Sequence, residues 1–162
     1  MTGRPQEPEI NLRILIVCTG NTCRSPFAEH LLRRRFLERG LDDIAVASAG
    51  VSAPAGASCT AEVLQASGEW DVDLTGHRAR QLRADDLLEA DLVLTMEPYH
   101  RVSILTAFPA FEEKLHPLTQ FEDGAASEGI DDPAGLDLEA TRAILERIAL
   151  CVENVAEYYA EE

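Results

Sequence analysis

The stretch Leu12-Arg13-Ile14-Leu15-Ile16-Val17-Cys18-Thr19-Gly20-Asn21-Thr22-Cys23-Arg24-Ser25-Pro26 decides how the rest of this 162-residue chain is read. Its first six residues form an apolar run broken only by Arg13, the pattern of a strand buried on both faces. Pro26 opens a helix-like stretch, where its fixed φ and missing N–H are tolerated. A short loop lies between them. A strand that feeds a tight loop and then a helix N-terminus turns backbone N–H groups into a concavity, and such a concavity holds a phosphate-sized anion. Cys18 opens the loop and Arg24 closes it, so a thiol and a planar, two-pronged cation face one anion. This is an arrangement for attacking phosphorus with sulfur.

Taken alone, Cys18 reads as a buried structural cysteine, a common fate of that residue. The Gly20-Asn21 turn and the arginine six positions on reverse that reading, because a packing thiol needs neither. A helix N-terminus, loop amides and a guanidinium are the surroundings that make a cysteine nucleophilic. Ser25 adds a hydroxyl able to donate to the sulfur; its plainer reading is a helix cap.

Outward from the loop, strand-like and helix-like segments alternate. Residues 26–39 read as a helix stopped by Gly40, 44–49 as a second strand, 59–70 as a helix and 84–90 as a short amphipathic helix. A third strand is expected over 91–96, a helix over 97–108 with Pro98 early enough to be tolerated, and a short strand over 114–117. Residues 120–135 read as loop. Residues 137–159 close the chain as a long helix with Ala143, Ile144, Ile148, Cys151, Val152 and Val155 as its buried stripe. The expectation is one α/β domain over 12–160, with a four-stranded parallel sheet between two helical layers and a frayed polar tail over 1–11. In such sheets ligands bind beyond the carboxyl ends of the strands, where the Cys18 loop falls.

The balance of 29 acidic against 14 basic residues, a formal net charge of −15, disfavours nucleic acid and anionic membranes as partners. No apolar run reaches spanning length and no signal-peptide core precedes the first strand, so a cytoplasmic location is expected; a monomer is the separate expectation for its assembly. The four cysteines, Cys18, Cys23, Cys59 and Cys151, are then expected reduced. Cys18 and Cys23 are not followed by a second Cys/His pair at ligand spacing, so no metal or other cofactor is expected.

The segment Val17 to Pro26 resembles the signature of the low-molecular-weight protein tyrosine phosphatases. Supporting matches are Ser48-Ala49-Gly50, His77-Arg78-Ala79-Arg80, Ala90 to Met96 and Asp132-Pro133, spread over most of the chain. The resemblance implies that Cys18 is the nucleophile, Arg24 the phosphate clamp and Asp132 the general acid. Asp132-Pro133 by itself is only a turn signal. The resemblance also implies that Thr19, Gly20, Asn21, Thr22, Cys23 and Ser25 build the phosphate-binding loop, held rigid by Asn21, Ser25, Ser48 and His77. Taken without the family, His77 is an ordinary surface or core histidine. The family further implies a reversible Cys18–Cys23 disulfide under oxidation; the plainer role of Cys23 is packing beneath the loop. Phosphorylated proteins are the implied substrates and inorganic phosphate the product.

Phosphotyrosine enzymes of this family usually carry an aromatic after the Asp-Pro pair and another on the loop after strand two. This chain has Ala134 and Ser52-Ala53-Pro54-Ala55 there. The Cys-Thr-Gly-Asn-Thr-Cys-Arg-Ser loop is similar to that of the bacterial protein-arginine phosphatases, with Thr22 where tyrosine-directed members commonly have isoleucine. Ala134 departs from that group too. The reading leans to phosphoarginine, with phosphotyrosine as the alternative. An arsenate reductase needs two further cysteines close together, which Cys59 and Cys151 do not supply. A phosphopeptide-binding module would need Arg24 and the loop amides but neither Asp132 nor Ser25.

Overall fold

The computed structural model describes residues 9–122 and 129–161. Residues 1–8 of the expected tail, and 123–128 of the expected 120–135 loop, lie outside the described residues. The element order is β1 (Leu12–Cys18), α1 (Arg24–Glu38), β2 (Ile44–Gly50), α2 (Ala61–Gly68), α3 (Ala84–Glu89), β3 (Leu92–Thr95), α4 (Pro98–Ala107), β4 (Leu115–Pro117) and α5 (Leu138–Ala160), with short 3₁₀ turns at Pro109–Lys114 and Leu118–Phe121. The four strands are all parallel in the order β2-β1-β3-β4.

Alternation along β1 divides its side chains between two apolar layers. Ile14, Ile16 and Cys18 join the layer built with Phe27, Leu31 and Leu32 of α1 and Leu145, Ile148 and Val152 of α5. Leu15 and Val17 join the opposite layer, with Leu87 of α3, Val93 of β3 and Ile104 of α4. The chain leaves β1 for β2, then crosses back to β3. That reversal opens a crevice at the carboxyl ends of β1 and β3, the place where open α/β sheets bind ligands.

The structure moves several expectations, and the helix expected over 59–70 is confined to Ala61–Gly68, with Thr60 as its N-cap. Helix α1 begins at Arg24, so Pro26 sits at its third position, where a backbone N–H would have no intrahelical acceptor and its absence in proline costs no helix bond. Along α5 the buried stripe runs through Thr141, Leu145, Ile148, Ala149, Val152, Val155 and Ala156, together with Cys151. Ile144 is only half-buried and Ala143 is exposed. At about 100° per residue, Ile144 lies on the flank of that stripe and Ala143 behind it. The expected loop starting at 120 opens inside the 3₁₀ turn that ends at Phe121.

Candidate active site

The loop between β1 and α1 is held by a chain of hydrogen bonds centred on Asn21. This residue adopts a left-handed backbone, φ 55°, which asparagine tolerates better than most side chains. Its buried amide donates to Ser25 Oγ and Ser48 Oγ, both at 2.9 Å, while its Oδ1 accepts from the Arg80 N–H at 3.0 Å. Its backbone carbonyl accepts from His77 Nε2 at 2.8 Å. Ser48 passes its own proton to Glu29 Oε1 at 2.6 Å, and Arg33 donates to Glu29 Oε2 at 2.6 Å. Ser25, accepting from Asn21, keeps its proton for Cys18 Sγ, 2.9 Å away. The β2 end closes on the same loop. A Cβ at Gly50 would stand 2.4 Å from the Thr19 carbonyl, so only glycine permits the approach.

Arg24 is 1% exposed. Its Nη1 donates to the Ile130 carbonyl at 2.7 Å and lies 3.2 Å from Glu97 Oε2. Its Nη2 lies 3.4 Å from Thr19 Oγ1 and 3.6 Å from Asp132 Oδ2. Its Nε is buried and has no hydrogen-bond partner among the described residues. A buried guanidinium N–H without an acceptor is costly, and an oxyanion in the adjoining concavity would satisfy it.

The acidic segment reaches Arg24 from the far side. Gly129 has φ 131°, and a Cβ there would meet the Met96 carbonyl at 2.8 Å. The glycine therefore lets the chain lie against the end of β3, where the Ile130 N–H donates to that carbonyl at 2.8 Å. Asp132 is exposed, and its Oδ1 accepts from the Ala134 N–H at 3.0 Å in a local turn. Asp131, one residue earlier, lines a cleft of about 540 Å³ with Glu97, Pro98, Tyr99 and Gly129.

The structure thus brings together Cys18, Thr19, Asn21, Arg24, Ser25, Ser48, His77 and Asp132. Thr22 is half-buried within the loop, its Oγ1 3.7 Å from Cys23 Sγ. Cys18 and Cys23 are both free thiols. Burial, above all, pushes the Cys23 thiol up to about 11. Gly20 sits beside Thr22, which an added Cβ would touch at 3.4 Å.

Sequence reasoning missed Glu29, Glu97, Tyr99 and His100. His100 is wholly buried, accepts the Glu97 N–H at its Nδ1 at 3.0 Å, and lies with Nε2 2.9 Å from Thr19 Oγ1. Burial, then the Arg24 charge, pulls its pKa down to about 4. It is therefore a neutral imidazole whose proton sits on Nε2 and is donated to Thr19. The available signal for the last three was their place just after the apolar β3, at the sheet's carboxyl edge.

Residues 13–162 match the family described as low molecular weight phosphotyrosine protein phosphatase. A protein-arginine-phosphatase of Geobacillus stearothermophilus is 35% identical over 145 residues, 90% of this chain and 94% of that protein. The low molecular weight protein-tyrosine-phosphatase Wzb of Salmonella typhi is 34% identical over 140 residues, covering 85% of this chain and 89% of that one. The crystal structure of a YwlE mutant from Bacillus subtilis superposes with a TM-score of 0.85 at 29% identity, covering 92% of this chain and 99% of that chain.

Proposed function

This chain belongs to the low molecular weight phosphotyrosine protein phosphatase family, a family of hydrolases acting on phosphorylated proteins, and we propose that it works through a cysteinyl-phosphate on Cys18. The observation that carries the proposal is the buried Nε of Arg24, without a partner among the described residues, on the same loop as the Cys18–Ser25 pair. In the first step Cys18 Sγ forms a bond to phosphorus while the bond from phosphorus to the substrate's oxygen or nitrogen breaks. The leaving atom takes that electron pair and a proton from Asp132. In the second step water attacks phosphorus, Asp132 takes the water's proton, and the S–P bond breaks to give inorganic phosphate. The departing sulfur is received by the Ser25 hydroxyl. Arg24 and the loop amides hold the equatorial oxygens throughout, where charge stabilisation in a dry site is worth most.

Phosphoarginine is the favoured substrate and phosphotyrosine the alternative. Thr22 in the loop and the aromatic-free Ser52–Ala55 positions support that order. A phosphoguanidinium is planar and cationic, and Glu97, Asp131 and Asp132 set carboxylates around the mouth of the loop. The test assays phosphoarginine and phosphotyrosine peptides side by side with Cys18→Ser. Turnover is expected to vanish in the variant while vanadate still binds, and a chelator is expected to leave the wild type active. Normal turnover by Cys18→Ser would overturn the mechanism; a wild-type preference for phosphotyrosine would overturn only the substrate order.

A further inference from the structure

Thr19 Oγ1 is the meeting point of three side chains, and the roles of two of them fix that of the third. It accepts from the neutral His100 through Nε2–H at 2.9 Å and from Arg24 Nη2 at 3.4 Å. With both lone pairs engaged, its single proton goes to its remaining partner, the hydroxyl of Tyr99. The tautomer of His100 is set in turn by the Glu97 N–H on Nδ1. Tyr99 is thereby tied to the rim of the phosphate loop as an acceptor, with its own proton unpaired among the described residues. Its ring stands at the start of α4, 46% exposed, leans on the His100 ring at 4.3 Å between centroids, and walls the cleft shared with Glu97 and Asp131.

A large, half-exposed aromatic anchored at its far end to a catalytic loop is not there to fill the core. Resting on the phosphatase reading above, we propose that Tyr99 is a specificity-determining, substrate-contacting residue whose ring stacks on a planar leaving group, a phenol or a guanidinium, while phosphate occupies the loop. Stacking discriminates these groups from the tetrahedral carbon that follows the phosphate oxygen of phosphoserine, which offers no flat face. Glu97 and Asp131 on the same cleft add attraction for a guanidinium that a neutral phenol does not feel. The ring takes no part in bond making. Its contribution lies in holding the leaving group, so it appears in KM before it appears in kcat.

The experiment measures kcat and KM for phosphoarginine, phosphotyrosine and phosphoserine peptides with wild type, Tyr99→Phe and Tyr99→Ala, together with the inhibition constant of vanadate. Vanadate fills the phosphate loop without a leaving group. Tyr99→Ala is expected to lose about tenfold in kcat/KM on the planar substrates, mostly through KM, with vanadate affinity and phosphoserine turnover moved less than about twofold. Tyr99→Phe keeps the wall and loses the tie to Thr19, so a loss of only about two- to threefold is expected. A larger loss on phosphoarginine than on phosphotyrosine identifies the cationic leaving group; equal losses identify the shared ring plane. Vanadate affinity falling in parallel with the peptides would make Tyr99 a prop of the loop and overturn the proposal. Unchanged KM values in Tyr99→Ala would overturn it as well. Neither result touches the Cys18 mechanism, which fails only by the Cys18→Ser test.

Discussion

The two segments that meet at Arg24 are held in very different ways. In the phosphate loop, Asn21 has its amide, its side-chain oxygen and its carbonyl all engaged, and the network runs on through Ser48 to Glu29. The acidic segment is tied through its backbone, by the Ile130 N–H to the end of β3, the Ile130 carbonyl to Arg24 and the Gly129 carbonyl to Arg147, whereas the Asp132 side chain has a local turn bond and a 3.6 Å approach to Arg24. The difference suits the two tasks proposed for these segments. An oxyanion cradle stabilises a transition state to the extent that its donors are already in place, because reorganising them would consume the interaction. A proton donor must instead follow leaving groups of several shapes, and an exposed carboxylate on a short tether can do so.

The sharpest way to break this contrast is to remove the acid and leave the cradle. Asp132→Ala is expected to lower turnover by about two to four orders of magnitude on substrates with poor leaving groups, and much less on activated aryl phosphates. Equal losses on both substrate types, or a larger loss in Asp131→Ala, would assign the proton elsewhere. A smaller effect is expected from within the cradle. Thr22→Ile swaps a hydroxyl for apolar bulk without touching Cys18, Arg24 or Asp132. It is expected to shift the phosphoarginine-to-phosphotyrosine ratio of kcat/KM by about one to two orders of magnitude toward phosphotyrosine. An unchanged ratio would remove Thr22 from the specificity argument.

Asn21 tests whether the cradle's rigidity resides in side-chain bonds or in backbone shape. Asn21→Ala strips the partners of buried Ser25 and Ser48 and forces a left-handed backbone on alanine, so a stability loss of about 2–4 kcal/mol is expected by chemical denaturation. Asn21→Gly relieves the backbone and still loses the bonds. If the glycine variant recovers only about 1 kcal/mol of that loss, the bonds dominate; recovery to wild-type stability would show that backbone shape alone holds the loop.

What the sequence discloses follows the same division. The Cys18–Arg24 segment is legible because strand, turn and helix start are local patterns, each carried by neighbours in the chain. Ser48 and His77 become legible only through the family resemblance, since neither lies in a pattern that points to Asn21. Glu29, Glu97, Tyr99 and His100 reach the loop through tertiary packing alone. Glu29 looks like one more charge on a helix, until Ser48 and Arg33 surround it. The stripe of α5 was misjudged at Ala143 and Ile144 because several apolar registers compete on that helix, and contact with α1 and α2 selects one. The 3₁₀ turn at Pro109–Lys114 buries none of its residues and so carries no apolar periodicity to read.

The smallest expected effect concerns the proton on His100, which links the cradle to Tyr99. Burial and the Arg24 charge lower its pKa from the ordinary 6.5 to about 4, with Asp132 opposing them weakly. Glu97, 3.9 Å from Nε2, is the other charged group facing it. Between those two values the unfolded chain binds a proton at this histidine and the folded chain does not. Stability contributed by the neutral ring is therefore present above about pH 6.5 and drains away as pH falls toward 4, by at most about 1.4 kcal/mol per pH unit. His100→Asn has no such proton to gain. Its unfolding free energy is expected to fall less steeply than that of the wild type across this window, while the two run parallel above pH 7. Parallel curves down to pH 4 would mean that the imidazole is protonated in the folded protein. Thr19 would still receive an Nε2–H, but Nδ1 would no longer accept the Glu97 N–H, and the bond chain that orients Tyr99 would lose its first link.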